Sequence, residues 1–122
     1  MSARVLVVDD SGLARRSVRR TLEAAGFSVS EAEDGMSALE RYALERPDLV
    51  ILDLVMKGMY GLDVLAKLRE FDEDARVVVV SADIQTPSRD SAHRAGARAF
   101  VTKPVDESEL LRAVRDALER KP

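Results

Sequence analysis

The sequence predicts an α/β domain in which five strands alternate with five helices, the strands forming one parallel sheet between helical layers. Three observations carry that prediction. Short apolar, β-branched runs occur at Val5-Leu6-Val7-Val8, Leu49-Val50-Ile51-Leu52 and Val77-Val78-Val79-Val80. Unbroken runs of this kind suit strands covered on both faces. Between them lie stretches with the period of amphipathic helices. The two kinds of segment alternate from one end of the chain to the other, which is the order that builds a parallel sheet from β-α units.

Each element has its own signal. Val5 to Val8 is the first strand. Ala14, Val18, Leu22 and Ala25 form the stripe of the first helix, with Arg15, Arg16, Arg19 and Arg20 largely off it and Gly26 placed as its stop. Phe27 to Ser30 is partly polar and reads as an outer strand. Leu39, Tyr42 and Ala43 mark a second helix that ends before Pro47. The run from Leu49 is the third strand, and Leu62, Leu65 and Ala66 mark a third helix. After the fourth strand, Thr86-Pro87 places a cap before a proline at the first helical position. That fourth helix has only Ala92 and Ala95 as apolar content, which predicts weak packing. Ala97 to Val101 is the other outer strand. In the last helix, Asp106 and Glu109 read as a capping box, and Leu110, Leu111, Val114 and Leu118 supply the stripe.

Composition narrows the function classes. The chain has 122 residues, 46% apolar and 34% charged, with a net charge of −3 and no cysteine. That is about one domain by length, with enough apolar content for a real core and no room for a separate output domain. A near-neutral balance argues against direct nucleic-acid binding, which needs a basic surplus. The lack of cysteine excludes disulfide scaffolds and thiolate metal sites. No apolar stretch approaches the roughly 20 residues that cross a bilayer, and the first residues lack a signal-peptide layout. The expectation is a cytoplasmic domain with no membrane partner.

In parallel α/β sheets, ligands sit beyond the carboxyl ends of the strands, where strand order reverses. Here the first strand ends in Asp9-Asp10, the third in Asp53, the fourth in Ser81-Ala82 and the fifth in Thr102-Lys103-Pro104. Each has an ordinary reading on its own: an aspartate as a turn or cap residue, a capping serine, a solvated lysine. The conjunction at one sheet edge favours chemistry. Two carboxylates about 4 Å apart repel by about 4 kcal/mol at an effective dielectric near 20, and an all-oxygen site favours a hard cation, magnesium above all. A carboxylate beside that metal is a nucleophile toward phosphorus. The Lys103 ammonium and the Ser81 hydroxyl would hold the phosphoryl oxygens.

The segments VLVVDD, LVILDLVMKGMYGLDVL, VVVVSAD and AGARAFVTKPV together resemble response-regulator receiver domains. The resemblance covers residues 1–122, and the stand-alone, chemotaxis-like kind is the nearest type. It implies a flavodoxin-like three-layer (βα)5 fold with strand order 2-1-3-4-5. It makes Asp53 the phosphoacceptor and gives magnesium to Asp10, Asp53 and the main-chain carbonyl of Val55, with Asp9 acting mainly through water. Ser81 would swing toward the phosphoryl group, Lys103 would pair with it, and the Lys103-Pro104 bond would be cis. The donor would be a phosphohistidine on a sensor histidine kinase or a histidine phosphotransfer protein, docked near the arginine-rich face of the first helix. Phe100 would turn inward with Ser81, changing the surface of the fourth helix, fifth strand and fifth helix, which binds a downstream target and is also where a homodimer would form. The chain would catalyse only its own phosphorylation and dephosphorylation.

Some positions depart from the family pattern. Lys57 stands where proline is usual and Tyr60 where a small or acidic residue is common, so the loop after Asp53 is expected to be less rigid. Val55 and Asp83 flank the mouth of the site and are expected to set the lifetime of the phosphorylated state. His93 reads as solvent-facing, and Met56 and Met59 as packing or loop residues. Three rival readings stand beside the switch. An aspartate-nucleophile phosphatase would want D-x-D where this chain has adjacent acids. A flavin binder would want more than 4% aromatic residues. The third is a receiver fragment of a larger regulator or hybrid kinase.

Overall fold

The computed structural model describes residues 2–56, 58–82 and 86–119. The elements are β1 (Arg4–Val8), α1 (Gly12–Ala24), β2 (Ser28–Ala32), α2 (Gly35–Glu45), β3 (Leu49–Asp53), α3 (Gly61–Phe71), β4 (Val77–Ser81), α4 (Thr86–Arg94), β5 (Ala99–Thr102) and α5 (Glu107–Glu119). The strands are parallel and lie in the order β2-β1-β3-β4-β5. The three apolar runs are therefore the central strands and the two mixed ones the edges, as their patterns require. Both edge strands begin later than expected, β2 by one residue at Ser28 and β5 by two at Ala99. An edge strand has one neighbour, so pairing rather than apolar content sets its limits.

Side chains alternate across the sheet and divide the core into two layers. Leu6, Val8, Val50, Leu52, Val77 and Val79 pack with Ala38, Tyr42, Val64, Leu65, Leu68 and Ala92 from α2, α3 and α4. Val5, Val7, Leu49, Ile51, Val78 and Val80 pack with Val18, Leu22, Leu110, Val114 and Ala117 from α1 and α5. Burying each such valine or leucine contributes roughly 1.5–3 kcal/mol, and the strongly apolar β1, β3 and β4 are thereby fixed at the centre.

The helices start and stop where local chemistry directs. Ser11 caps α1 by accepting the Ala14 N–H at 3.2 Å, and Gly26, at φ 96°, follows its end. Asp34 caps α2 through the Ser37 N–H at 2.8 Å. Asp106 accepts the Glu109 N–H at 3.2 Å at the start of α5. Two expected stripe residues are corrected: Ala43 and Ala66 are exposed, while Ala38, Val64 and Leu68 take the buried positions. Alanine fits either face of a helix, and the larger Val64 and Leu68 decide the orientation. In α4, Ala92 is the buried apolar residue, in keeping with its thin composition.

Candidate functional site

β2 lies outside β1, so strand order reverses between β1 and β3, and the carboxyl ends of the central strands meet there. Asp9 follows β1, Asp53 ends β3, Ser81 ends β4 and Lys103 follows β5. Asp9, Asp53 and Ser81 are buried at 5%, 6% and 0% exposure, whereas Asp10 is exposed. Carboxylate oxygens of Asp9, Asp10 and Asp53 lie within 4.8 Å of one another.

Lys103 joins the two buried acids. Its Nζ donates to Asp9 Oδ2 at 2.8 Å and to Asp53 Oδ2 at 3.0 Å. The other oxygens take main-chain donors: Asp9 Oδ1 accepts the Ser11 N–H at 2.9 Å and Asp53 Oδ1 accepts the Val55 N–H at 3.0 Å. Lys103 is itself placed by its main-chain N–H, which donates to Ser81 O at 2.9 Å, and its bond to Pro104 is cis. Below Asp53, the Gly61 N–H donates to Leu54 O at 3.0 Å. A Cβ there would lie 2.4 Å from Leu54 Cα and 2.7 Å from Asp53 O. Only glycine lets α3 approach the backbone of the acid so closely.

Burial and neighbouring charges act on the paired groups in opposite directions. Burial pushes the Asp53 carboxyl above its ordinary value, the Val55 N–H and Lys103 work against that push, and Asp9 adds to it. Burial also opposes the charge on Lys103, but its hydrogen bonds to Asp9 and Asp53 hold the ammonium above its usual range. Among the described residues, Lys103 is shared by two buried carboxylates, Asp9 and Asp53, with the exposed Asp10 beside them, so like charges crowd the site. The donors are oxygen alone, so the cluster suits a hard divalent cation rather than a thiolate or imidazole metal.

Asp9, Asp10, Asp53 and Lys103 thus lie together, and Ser81 ends the strand next to that of Asp53. Val55, at 59% exposure, and Tyr60, at 47%, are exposed between β3 and α3. Asp83 and Lys57 lie outside the described residues. Phe100 is half-buried on β5 against the α2-α3-α4 layer, with the Arg89 guanidinium 5.1 Å above its ring. His93 is exposed, as expected.

The arginines of α1 divide. Arg16 and Arg20 are exposed, but Arg15 and Arg19 form pairs within the domain. Arg15 Nε meets Glu31 Oε1 at 2.9 Å, Arg19 Nη1 meets Glu31 Oε2 at 2.8 Å, and Arg19 Nε meets Glu23 at 3.1 Å. Arg15 Nη1 also donates to the main-chain oxygen of Asp9 at 2.7 Å. Sequence reasoning did not single out the bridge made by Arg15, because Glu31 lies on β2 and Asp9 follows β1, and no local spacing marks the two as partners.

Comparison with known proteins agrees with this fold. The model of the response regulator receiver domain matches residues 5–115. Response regulator MprA of Mycobacterium bovis is 40% identical over 120 residues, covering 98% of this chain and 52% of that protein, so the chain spans about half the length of such relatives. The crystal structure of a LuxR-family two-component response regulator from Aurantimonas superposes with a TM-score of 0.92 and 32% identity, covering 99% of this chain and 89% of that one. A chain of the CheX-CheY-BeF3-Mg2+ complex from Borrelia burgdorferi superposes with a TM-score of 0.93 and 30% identity, covering 97% and 90%.

Proposed function

Because the chain belongs to the response-regulator receiver family, we propose that it is the phosphoacceptor switch of a two-component relay, with Asp53 as nucleophile. The observation that carries this reading is the Lys103 ammonium shared between Asp9 and Asp53 at 2.8 and 3.0 Å, at the mouth of an oxygen-only cluster. The donor is a phosphohistidine on a sensor histidine kinase or histidine phosphotransfer protein in the cytoplasm. An Asp53 carboxylate oxygen bonds to phosphorus as the N–P bond breaks, and the departing imidazole takes a proton from solvent. Lys103 exchanges its bond to Asp53 for one to a phosphoryl oxygen, and the Ser81 hydroxyl donates to another. Attack by water on phosphorus then breaks the new O–P bond and returns Asp53 and inorganic phosphate. The chain catalyses these two steps on itself and no other turnover.

Asp10, Asp53 and the Val55 carbonyl would hold magnesium, with Asp9 acting through water. When bound, the ion supplies positive charge that neutralises the phosphoryl oxygens. Phosphorylation then shifts the α4-β5-α5 surface between two packings by its differential affinity for one of them, with Ser81 and Phe100 as the moving side chains, and a downstream target protein reads the result. The beryllofluoride and magnesium in the Borrelia complex are of the same chemistry.

Acetyl phosphate tests the reading. Phosphoryl incorporation, followed by mass spectrometry, is expected in the wild type with magnesium and absent both without magnesium and in Asp53→Asn. Incorporation in Asp53→Asn at the wild-type level would overturn it. Val55 offers no side-chain hydrogen bond to an attacking water, and we assign it, with Asp83, the lifetime of the phosphorylated state. Dephosphorylation rates of Val55→Asn and Asp83→Ala are expected to differ from the wild type, and two unchanged rates would remove the assignment.

A further inference from the structure

We propose that Arg15 and Glu31 form a positioning pair for the metal-binding acids, a role that rests on the reading of the site given above. The peptide that joins Asp9 to Asp10 is one rigid plane. Its carbonyl oxygen accepts Arg15 Nη1 at 2.7 Å, so the guanidinium fixes the plane from which the Asp10 side chain departs. The same guanidinium is anchored at its other edge, where Nε donates to Glu31 Oε1 at 2.9 Å. Glu31 is held in turn, since its second oxygen accepts Arg19 Nη1 at 2.8 Å. Both side chains are largely sheltered, with 16% exposure for Arg15 and 23% for Glu31.

The chain of contacts runs from β2 through α1 to the acid turn after β1. Asp9 is thereby held from four directions: Arg15 at its carbonyl, Ala32 O at its N–H (3.2 Å), Ser11 N–H at Oδ1 and Lys103 at Oδ2. Asp10 is joined to this arrangement through the shared peptide, whose carbonyl Arg15 holds. A planar guanidinium donates to a carbonyl and a carboxylate in one fixed geometry, which an ammonium on a flexible stem does not hold as rigidly. The pair therefore serves metal affinity rather than partner docking, the role that the position of Arg15 on the arginine-rich face of α1 would otherwise suggest.

Calorimetric titration of the full chain with Mg2+ alone tests the pair. The variants are Arg15→Gln, Arg15→Lys and Glu31→Ala. Tyr42→Phe, at the opposite end of the sheet, is the control for general loss of stability. Loss of an outer-shell partner commonly weakens a metal about tenfold or more. Arg15→Gln and Glu31→Ala are expected to weaken Mg2+ by about tenfold, Arg15→Lys by nearly as much, and Tyr42→Phe not at all. Phosphorylation by acetyl phosphate is expected to slow in the two pair variants at low Mg2+ and to recover at saturating Mg2+, as a defect in metal affinity requires. Should Arg15→Gln fail to fold, Glu31→Ala carries the test, since it removes the anchor and keeps the arginine. Mg2+ affinities of the pair variants equal to that of the wild type would overturn the proposal, and a defect confined to a phosphohistidine donor would give Arg15 to docking instead. Wild-type protein that takes up no Mg2+ would overturn the reading of the site, and this proposal with it.

Discussion

Lys103 meets two buried carboxylates with one charge, and its removal shows what the arrangement costs. In Lys103→Met, Asp9 and Asp53 keep their burial and lose their cation. Breaking a buried ion pair in this way costs about 3 kcal/mol, and urea denaturation at pH 7 is expected to show a loss of that size. The pH dependence has a definite sign. Burial already raises the folded-state value of Asp53 above its ordinary one, and without Lys103 it rises further. A carboxyl with a raised folded value destabilises the fold only while it is ionised. The deficit of Lys103→Met is therefore full above that value and shrinks as pH falls through it. A deficit that stays constant between pH 7 and pH 4 would show that Lys103 supports the fold by packing, not by charge.

At the scale of elements, the Tyr42 hydroxyl ties α2 to the end of α3. It donates to Asp72 Oδ2 at 2.8 Å, beside Arg46 at 3.4 Å, and the Tyr42 and Phe71 rings meet edge to face. The Tyr42 hydroxyl holds the Asp72 carboxyl below its ordinary value; burial opposes this, while the Asp74 N–H and nearby arginines assist. Tyr42→Phe is expected to cost about 1 kcal/mol at neutral pH, read by thermal or urea unfolding. A carboxyl with a depressed folded value contributes stability above its unfolded value and loses it as pH falls through the folded one. The difference between Tyr42→Phe and the wild type is therefore expected to fade below the ordinary carboxylate range. This tie was hidden in the sequence, which presents Tyr42 as one apolar position of a stripe. Strands β1, β3 and β4 were legible because burial on both faces demands continuous apolar runs. The edges β2 and β5, with one neighbour each, left a pattern too mixed to place their first residues. Ala43 and Ala66 were misread because a methyl group does not reveal which way it faces. The acids, Ser81 and Lys103 were legible because each ends a strand, and family resemblance supplied the cis bond and the strand order. The Arg15 bridge was not legible, since it depends on β2 lying beside β1.

For the molecule as a whole, the sheet gathers the Asp9, Asp10 and Asp53 carboxylates at one edge of an otherwise well-packed core. On the proposed reading a bound cation relieves the repulsion among these acids, so metal affinity and stability are one linked quantity. Anything that binds the native state alone stabilises it by an amount that grows with the logarithm of its concentration, about 2.7 kcal/mol at a hundred times the dissociation constant. For a chain of this size that corresponds to a melting temperature higher by about 10 °C. Magnesium is expected to raise the melting temperature of the wild type in this way at pH 7, and to do so less at pH 4. Ligand carboxylates must be ionised to bind, and Asp53 protonates earlier on acidification than an ordinary aspartate. In Asp53→Asn the melting temperature without metal is expected to be higher than in the wild type, because one repelling charge is gone and Lys103 still serves Asp9, while the rise with magnesium is expected to be much smaller. Differential scanning calorimetry across a magnesium series measures both effects. A wild-type melting temperature indifferent to magnesium, or a rise of equal size in Asp53→Asn, would separate stability from the acid cluster and leave the burial of these carboxylates without a functional cause.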